Sequence, residues 1–271
     1  SIKNIISSDK IQELPDANAA EALARVPGLS IKREGGEGNK IVIRGLSPKY
    51  NKITVNGANL ASTDADDRST DLSMISQYMI EEIEVTKAGT PDQEADVLGG
   101  TVNFKLRKAE KGFHGSLIAQ GMHNRLQNSY NDFKFVVDVS NRFFNNRLGI
   151  IAQLDMEKRN RSSHNLSASY NNTPADLSTV NPLNFYGLGL SEIIRDNDRA
   201  NNLLVIDYNI KNGTLSYSSL NSTIKKDIIS YGESYGITQY LGGRYLNNGD
   251  ISNKINVLTE NWNYEKQFNS N

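Results

Sequence analysis

The residues whose types and spacing could do covalent chemistry are few. Gly232-Glu233-Ser234-Tyr235-Gly236 has the Gly-x-Ser-x-Gly spacing in which a serine sits on a strained strand-to-helix turn and attacks a carbonyl. That elbow needs a buried strand before the serine and a helix after it. The next stretch, 237–246, holds Gly242 and Gly243 and no apolar stripe at helical spacing, so Ser234 is not read as a nucleophile. His114, His123 and His164 are the three histidines, and none belongs to an i, i+4 pair with an intervening glutamate that would bind zinc. Asp64, Asp66 and Asp67 resemble the start of a calcium loop, yet the glycine and the distal glutamate are missing, and a solvated acidic loop is the simpler reading. No catalytic set, metal site or cofactor is expected.

Composition narrows the classes further. The 271 residues carry a formal net charge of -1 with 23% charged residues, which gives no basic footprint for nucleic acid. Cysteine is absent, so there is no disulfide, thiolate metal site or cysteine nucleophile, which suits export through the periplasm without proving it. No segment approaches the ~20 apolar residues of a membrane-spanning helix, and Ser1 to Asp9 lacks the basic start and apolar core of a signal peptide. The chain is therefore soluble, or it meets the membrane as strands. The mean hydropathy of -0.52 does not decide between these, because barrel strands alternate lipid-facing and lumen-facing residues.

Residues 1–110 read as a small α/β unit. Asn18 with Glu21 three residues on makes a capping-box start, and Ala19, Ala22, Leu23 and Val26 give one apolar face before Pro27-Gly28 ends the helix. Ile41 to Ile43 and Ile53 to Val55 are short strands whose simple reading is a hairpin, the second ending at the turn pair Asn56-Gly57. Asp71 can cap a second helix with Leu72, Ile75 and Met79 on one face. Ile83 and Val85 then alternate with acids as a strand, and 101–107 adds a last one. Taken alone, this periodicity supports an ordinary mixed sheet with two covering helices.

From Phe113 the pattern becomes strict alternation. Phe133, Phe135, Val137 and Val139 alternate with Lys134, Asp138 and Ser140, and Leu148, Ile150, Ala152, Leu154 and Met156 alternate with Gln153, Asp155 and Glu157. Six strands are expected, near 113–123, 132–143, 148–158, 203–211, 214–225 and 251–266, with 236–245 as a candidate seventh. The alternating runs within them are each about 9 to 11 residues, the length that crosses hydrocarbon when tilted. Asn145-Asn146 and Asn212-Gly213 are tight turns, whereas 159–202 and 226–250 read as long polar connections. Short and long connections alternate as in an outer-membrane barrel.

Four motifs in the first third carry a family resemblance. Pro15-Asp16-Ala17-Asn18 followed by Glu21-Ala22-Leu23, then Ile41-Val42-Ile43-Arg44-Gly45, then Ile80 to Lys87, then Leu98-Gly99-Gly100-Thr101 occur in the order seen in the plug domain of TonB-dependent outer-membrane receptors. The resemblance covers roughly the first 110 residues closely; the remainder of the chain is similar only in pattern. It implies an α+β plug at 1–110 and, at 111–271, the first strands of a transmembrane antiparallel β-barrel in the bacterial outer membrane. Such a wall needs about 22 strands to surround a plug, so the barrel here is incomplete, and the parent chain is expected to continue beyond Asn271.

The resemblance also implies a non-enzymatic importer energised by TonB, with outer-membrane lipid around it and a surface lipoprotein as a further partner. The Pro15-Asp16-Ala17-Asn18 variant resembles a branch linked to carbohydrate uptake; an iron chelate is the other cargo. Motif position places the cargo-binding apical loops at 33–38, 46–51 and 61–68. There Tyr50 could stack on a ring, Arg33, Lys49 and Arg68 could bond hydroxyls or anions, and Asp64 and Asp66 would flank them. Arg44 is expected to pair with a barrel-wall acid. No TonB-binding segment is evident in 1–10. The competing readings are a passive porin-like or secretion channel, and a soluble all-β binding module packed as a sandwich.

Overall fold

The computed structural model describes residues 3–12, 18–64, 67–87, 97–171, 184–236 and 243–266. Pro15 to Ala17, Asp66, the centre of the candidate strand at 236–245 and the turn expected at the chain's end lie outside these residues.

The opening unit contains β1 (Lys3–Ser7), α1 (Ser8–Gln12), α2 (Ala19–Leu23), β2 (Leu29–Glu34), β3 (Glu37–Ile43), β4 (Asn51–Val55), β5 (Ala58–Asn59), β6 (Ile80–Thr86) and β7 (Gly100–Leu106). Five strands make one sheet in the order β1-β6-β7-β4-β5, and β2 with β3 forms a separate hairpin. The expected pairing of 41–43 with 53–55 is therefore wrong. Ile41 and Ile43 pair back to Ile31 and Leu29, while Ile53 and Val55 lie parallel to Val102 and Phe104. Asn56-Gly57, at φ 48° and 84°, turns β4 into β5 instead. Both central residues of that turn need positive φ, which this pair tolerates.

Asn18 caps α2 as expected: its Oδ1 accepts from Ala20 N at 2.9 Å and Glu21 N at 3.2 Å. The other half of the box does not form, because the Glu21 carboxylate accepts from Gly38 N at 2.8 Å and from Arg33. The second helix is also absent. Asp71 accepts from Ser73 N, and Ser76 Oγ accepts from Tyr78 N, so each side chain starts a separate 3₁₀ turn, Leu72–Met74 and Gln77–Met79, with Ile75 extended between them. Short polar side chains bonding their own backbone compete with a continuous helix in this way. Leu72, Ile75 and Met79 are still buried. Gly100 explains the paired glycines: at φ 153°, a Cβ there would lie 2.5 Å from the Thr86 carbonyl oxygen.

On β6, Glu84 receives Lys3, Lys105 and Asn103. Burial alone would raise its pKa, but the bonds from Lys105, Lys3 and Asn103 win and hold it at about 2, below the ordinary 4.5. A depressed carboxylate stabilises the fold above its unfolded pKa, and that contribution is lost as pH falls through the folded value. Thermal midpoints of wild type and Glu84→Gln, measured in parallel, should converge as pH drops from 4.5 toward 2. A gap constant with pH would refute this.

The rest of the chain is one sheet of seven strands among the described residues: β8 (His114–Asn124), β9 (Ser129–Phe143), β10 (Leu148–Asn160), β11 (Ser163–Asn171), β12 (Asn184–Ile210), β13 (Gly213–Gly236) and β14 (Gly243–Lys266). All pairs are antiparallel, in the order β14-β13-β12-β10-β9-β8, and β11 pairs with the upper part of β12 above β10. The sheet's outermost strands, β8 and β14, do not meet. The six expected strands are present. The long connections are not: 159–202 contains β11 and the upper part of β12, and 226–250 is mostly β13 and β14. Alternation in sequence reports two different environments, so it fades where both faces meet water although the hydrogen-bond ladder continues. β12, at 27 residues, runs roughly 90 Å at about 3.3 Å per residue.

One face of this sheet covers the opening unit. Ile151, Leu203, Val205 and Leu220 join the core built by Leu23, Ile43, Met79, Ile83 and Phe104. The other face exposes Leu117, Phe133, Val139, Phe143, Met156, Leu258 and Trp262. A sheet with an apolar outer face and a plugged inner face is the architecture that the resemblance implied. Among the described residues, no helix is long and apolar enough to cross a membrane.

Candidate functional site

The hairpin joining β2 to β3 turns at Gly35 and Gly36, with φ 56° and 78°, and this brings Glu34 and Glu37 up to the large sheet. Glu37 is 3% exposed and is the hub of a buried network. Its Oε1 accepts from Asn18 Nδ2 at 2.9 Å, and its Oε2 meets Arg199 Nη2 of β12 and, at 3.1 Å, Arg161 Nε. Arg199 Nη1 donates to Glu157 Oε1 of β10 at 3.0 Å, and Glu157 Oε2 lies 3.1 Å from Lys134 Nζ of β9. That ammonium sits 4.9 Å from the ring centroid of Tyr78 in the opening unit. The chain of charge thus leaves the opening unit at Glu37, crosses three strands of the sheet, and returns at Tyr78.

Further contacts reinforce it. Ser76 Oγ donates to Asp155 Oδ2. Lys226 Nζ of β13 donates to Asp71 Oδ2 at 2.7 Å and to Glu34 Oε2 at 3.3 Å. Arg107 Nη1 donates to Asp138 Oδ1 at 2.9 Å, where Ser116 Oγ also donates at 2.7 Å. Buried ion pairs of this kind add little net stability over an apolar replacement, but removing one partner strands the other, at about 3–5 kcal/mol. They fix where one body sits against another.

Toward the other end of the sheet Arg142 Nε of β9 donates to the Ala109 carbonyl at 2.8 Å, and two further contacts are neutral. Asn56 Nδ2 donates to Ser218 Oγ at 3.3 Å, and Asn261 Nδ2 donates to the Asn56 carbonyl at 3.0 Å. They border a cleft of about 430 Å³, lined by Asn103, Lys105, Ser216 and Asn263 among others.

The residues singled out from sequence lie in different parts of the molecule. Arg33 Nη2 donates to Glu21 Oε2 at 2.6 Å, and Asp64 pairs with Lys40, so both are engaged inside the opening unit. Lys49 Nζ lies 5.1 Å from the ring centroid of Tyr50, at the 3₁₀ turn Pro48–Tyr50. Arg68 is exposed, and Asp66 lies outside the described residues. In the same loop Asp67 is held below its ordinary pKa by hydrogen bonds from Ser69. Arg44, at φ 53°, donates to the Leu98 carbonyl at 3.0 Å; the wall acid expected for it is not among the described residues. Ser234 lies in the β13 ladder opposite Tyr245, not on a strand-to-helix turn. No cluster of three or more metal-ligating side chains occurs among the described residues.

Sequence reasoning missed the network around Glu37. Its signal was present in the acids and bases at alternate positions, Asp155, Glu157, Asn197 and Arg199, but alternation names a face and not a partner.

Comparisons with known proteins agree with this architecture. The TonB-dependent Receptor Plug Domain family matches residues 1–101. The Vitamin B12 transporter BtuB of Vibrio vulnificus is 28% identical over 111 residues, covering 40% of this chain and 18% of that protein. The crystal structure of the siderophore receptor PirA from Acinetobacter baumannii superposes with a TM-score of 0.50 at 17% identity, covering 97% of this chain and 45% of that one. For the ferric enterobactin receptor PfeA of Pseudomonas aeruginosa, in a mutant bound to enterobactin, the figures are 0.48 and 13%, covering 93% and 46%. The chain thus spans less than half the length of each of these relatives. It carries the plug domain of the TonB-dependent receptors and continues into antiparallel strands of a barrel that it does not close.

Proposed function

We propose that this chain is part of an outer-membrane receptor that imports a scarce small molecule by TonB-coupled transport, with residues 1–110 as the gate and 111–271 as part of the wall. The observation that carries this reading is the buried network running from Glu37 through Arg199 and Glu157 to Lys134. A passive pore has no use for a folded unit held across its lumen by buried charge, whereas a gated importer needs a stopper that returns to one seat. The cargo is a carbohydrate or an iron chelate. Arg33, Lys49, Tyr50, Asp64, Asp66 and Arg68 are proposed to meet it at the plug apex, and Arg44 to pair with a wall acid further along the parent chain.

Uptake of radiolabelled maltohexaose and ferric enterobactin by cells carrying the full-length protein tests this, with and without TonB. Accumulation of either probe that vanishes without TonB supports the reading and separates the two cargo classes. Accumulation independent of TonB would establish a passive channel instead.

A further inference from the structure

Residues 107–113 join the plug to β8, and β9 of the wall fastens them from its inner face. Asp138 accepts from Arg107 Nη1 and, on the far side of the join, from Ser116 Oγ of β8. Four positions along β9, Arg142 Nε donates to the Ala109 carbonyl at 2.8 Å. Ala109 is 5% exposed, although Lys108 and Glu110 on either side of it are exposed. Arg107 marks a boundary, because its own N–H donates back to the Met79 carbonyl in the plug at 3.1 Å.

The grip of Arg142 does not depend on the plug. Register places Arg142, Gly149 and Asp207 on one row across β9, β10 and β12. The guanidinium spans that row, with Nη2 donating to Asp207 Oδ2 at 2.7 Å and Nη1 to the Asn146 carbonyl at 3.1 Å. Gly149 leaves the space for it: a Cβ there would lie 2.5 Å from Asp207 Oδ1 and 3.0 Å from Arg142 Cζ. A planar guanidinium carries its donors in a fixed fork, so once two of them are held within the wall the direction of the third is set. The network around Glu37 is built differently. Glu37 and Tyr78 belong to the plug, and Arg199 and Lys134 to the wall, so that network breaks whenever the two separate.

We infer that Arg142, held by Asp207 across Gly149, makes residues 108–113 a stationary joint that stays with the wall when the plug leaves its seat, so that movement of the gate ends at Arg107. Arg142 is a positioning residue in this role. The inference rests on the gate reading of the plug and goes beyond it.

Spin labels on single cysteines test it in the full-length protein, since this chain has none of its own. Glu81→Cys reports the plug, Glu110→Cys the joint and Gln120→Cys the wall, all at exposed positions. As urea rises, the Glu81 label should become mobile first, and the Glu110 label should hold its order with Gln120 to a midpoint about 1 M or more higher. Arg142→Asp combined with Asp207→Arg keeps one charge of each sign on the row but moves the guanidinium two strands away, roughly 10 Å. In that variant the Glu110 midpoint should drop to that of Glu81 while Gln120 keeps its own, a separation that general destabilisation of the wall would not produce. A Glu110 label that follows Glu81 without the exchange, alone or together with Gln120, would overturn the joint. So would an exchanged pair that leaves the Glu110 midpoint unchanged. TonB-independent accumulation in the uptake assay would instead remove the gate and leave the joint standing.

Discussion

Glu37→Gln should release the β2–β3 hairpin from the wall, with amide exchange in residues 29–43 rising about a hundredfold or more. The side chain is 3% exposed and meets two guanidinium groups, so the substitution leaves Arg199, itself 4% exposed, with half of its charge compensation. Removing one partner of a buried pair costs about 3–5 kcal/mol, and every 1.4 kcal/mol is about tenfold in the opening equilibrium. Glutamine keeps the shape and can still accept from Asn18 Nδ2, so the loss is one of charge. Two controls make the result specific. Glu34→Gln on the same hairpin should change exchange by less than about 1 kcal/mol, because the Glu34 side chain is half exposed and Lys226 keeps its pair with Asp71. Arg199→Met combined with Glu37→Gln should recover only part of the loss, because Arg161 still lacks Glu37 and the buried Glu157 is left with Lys134 but without Arg199. Exchange unchanged in Glu37→Gln would show that the network does not seat the plug.

Phe104→Ala should loosen the plug as a whole and not only one hairpin. Phe104 is fully buried at the centre of the five-stranded sheet, opposite Ile83 on β6 and Val55 on β4, and its carbonyl accepts from Asn56 N at 2.9 Å. Truncating a buried phenylalanine costs about 3–5 kcal/mol, from lost transfer energy and the cavity left behind. Protection of the amides in β4, β6 and β7 should therefore fall by two to three orders of magnitude, while those of β9 and β10 hold their protection. A uniform loss across wall and plug would mean that the two unfold as one body. No loss would mean that neighbouring side chains fill the space.

The sequence was most informative where one residue type answers one local demand. Asn18 at an N-terminus, Asn56-Gly57 at a two-residue turn and Gly99-Gly100 ahead of β7 were all legible, because cap and turn geometry are set within a few residues. Pairing partners were not. Ile41 to Ile43 and Ile53 to Val55 look like a hairpin because they are near in sequence, yet Val55 lies beside Phe104 and Ile41 beside Ile31. The apparent helix after Asp71 failed because Ser73 and Ser76 bond locally, a competition that apolar spacing does not register. The upper parts of β12, β13 and β14 were hidden because apolar and polar residues do not alternate there: Ile193 and Ile194, and Ile228 and Ile229, are neighbours in sequence. The residues joining the opening unit to the large sheet were not legible either, because they are contacts between segments over a hundred positions apart, as with Glu37 and Arg199.

The strand order of the plug sheet has a mechanical consequence. β1 occupies the rim of the order β1-β6-β7-β4-β5, held by its register with Ile83 and its neighbours on β6 and by the tie from Lys3 to Glu84. Tension applied at the beginning of the chain therefore loads a single rim strand first. β7, flanked on both sides by β6 and β4, carries none of that load until β1 has peeled away.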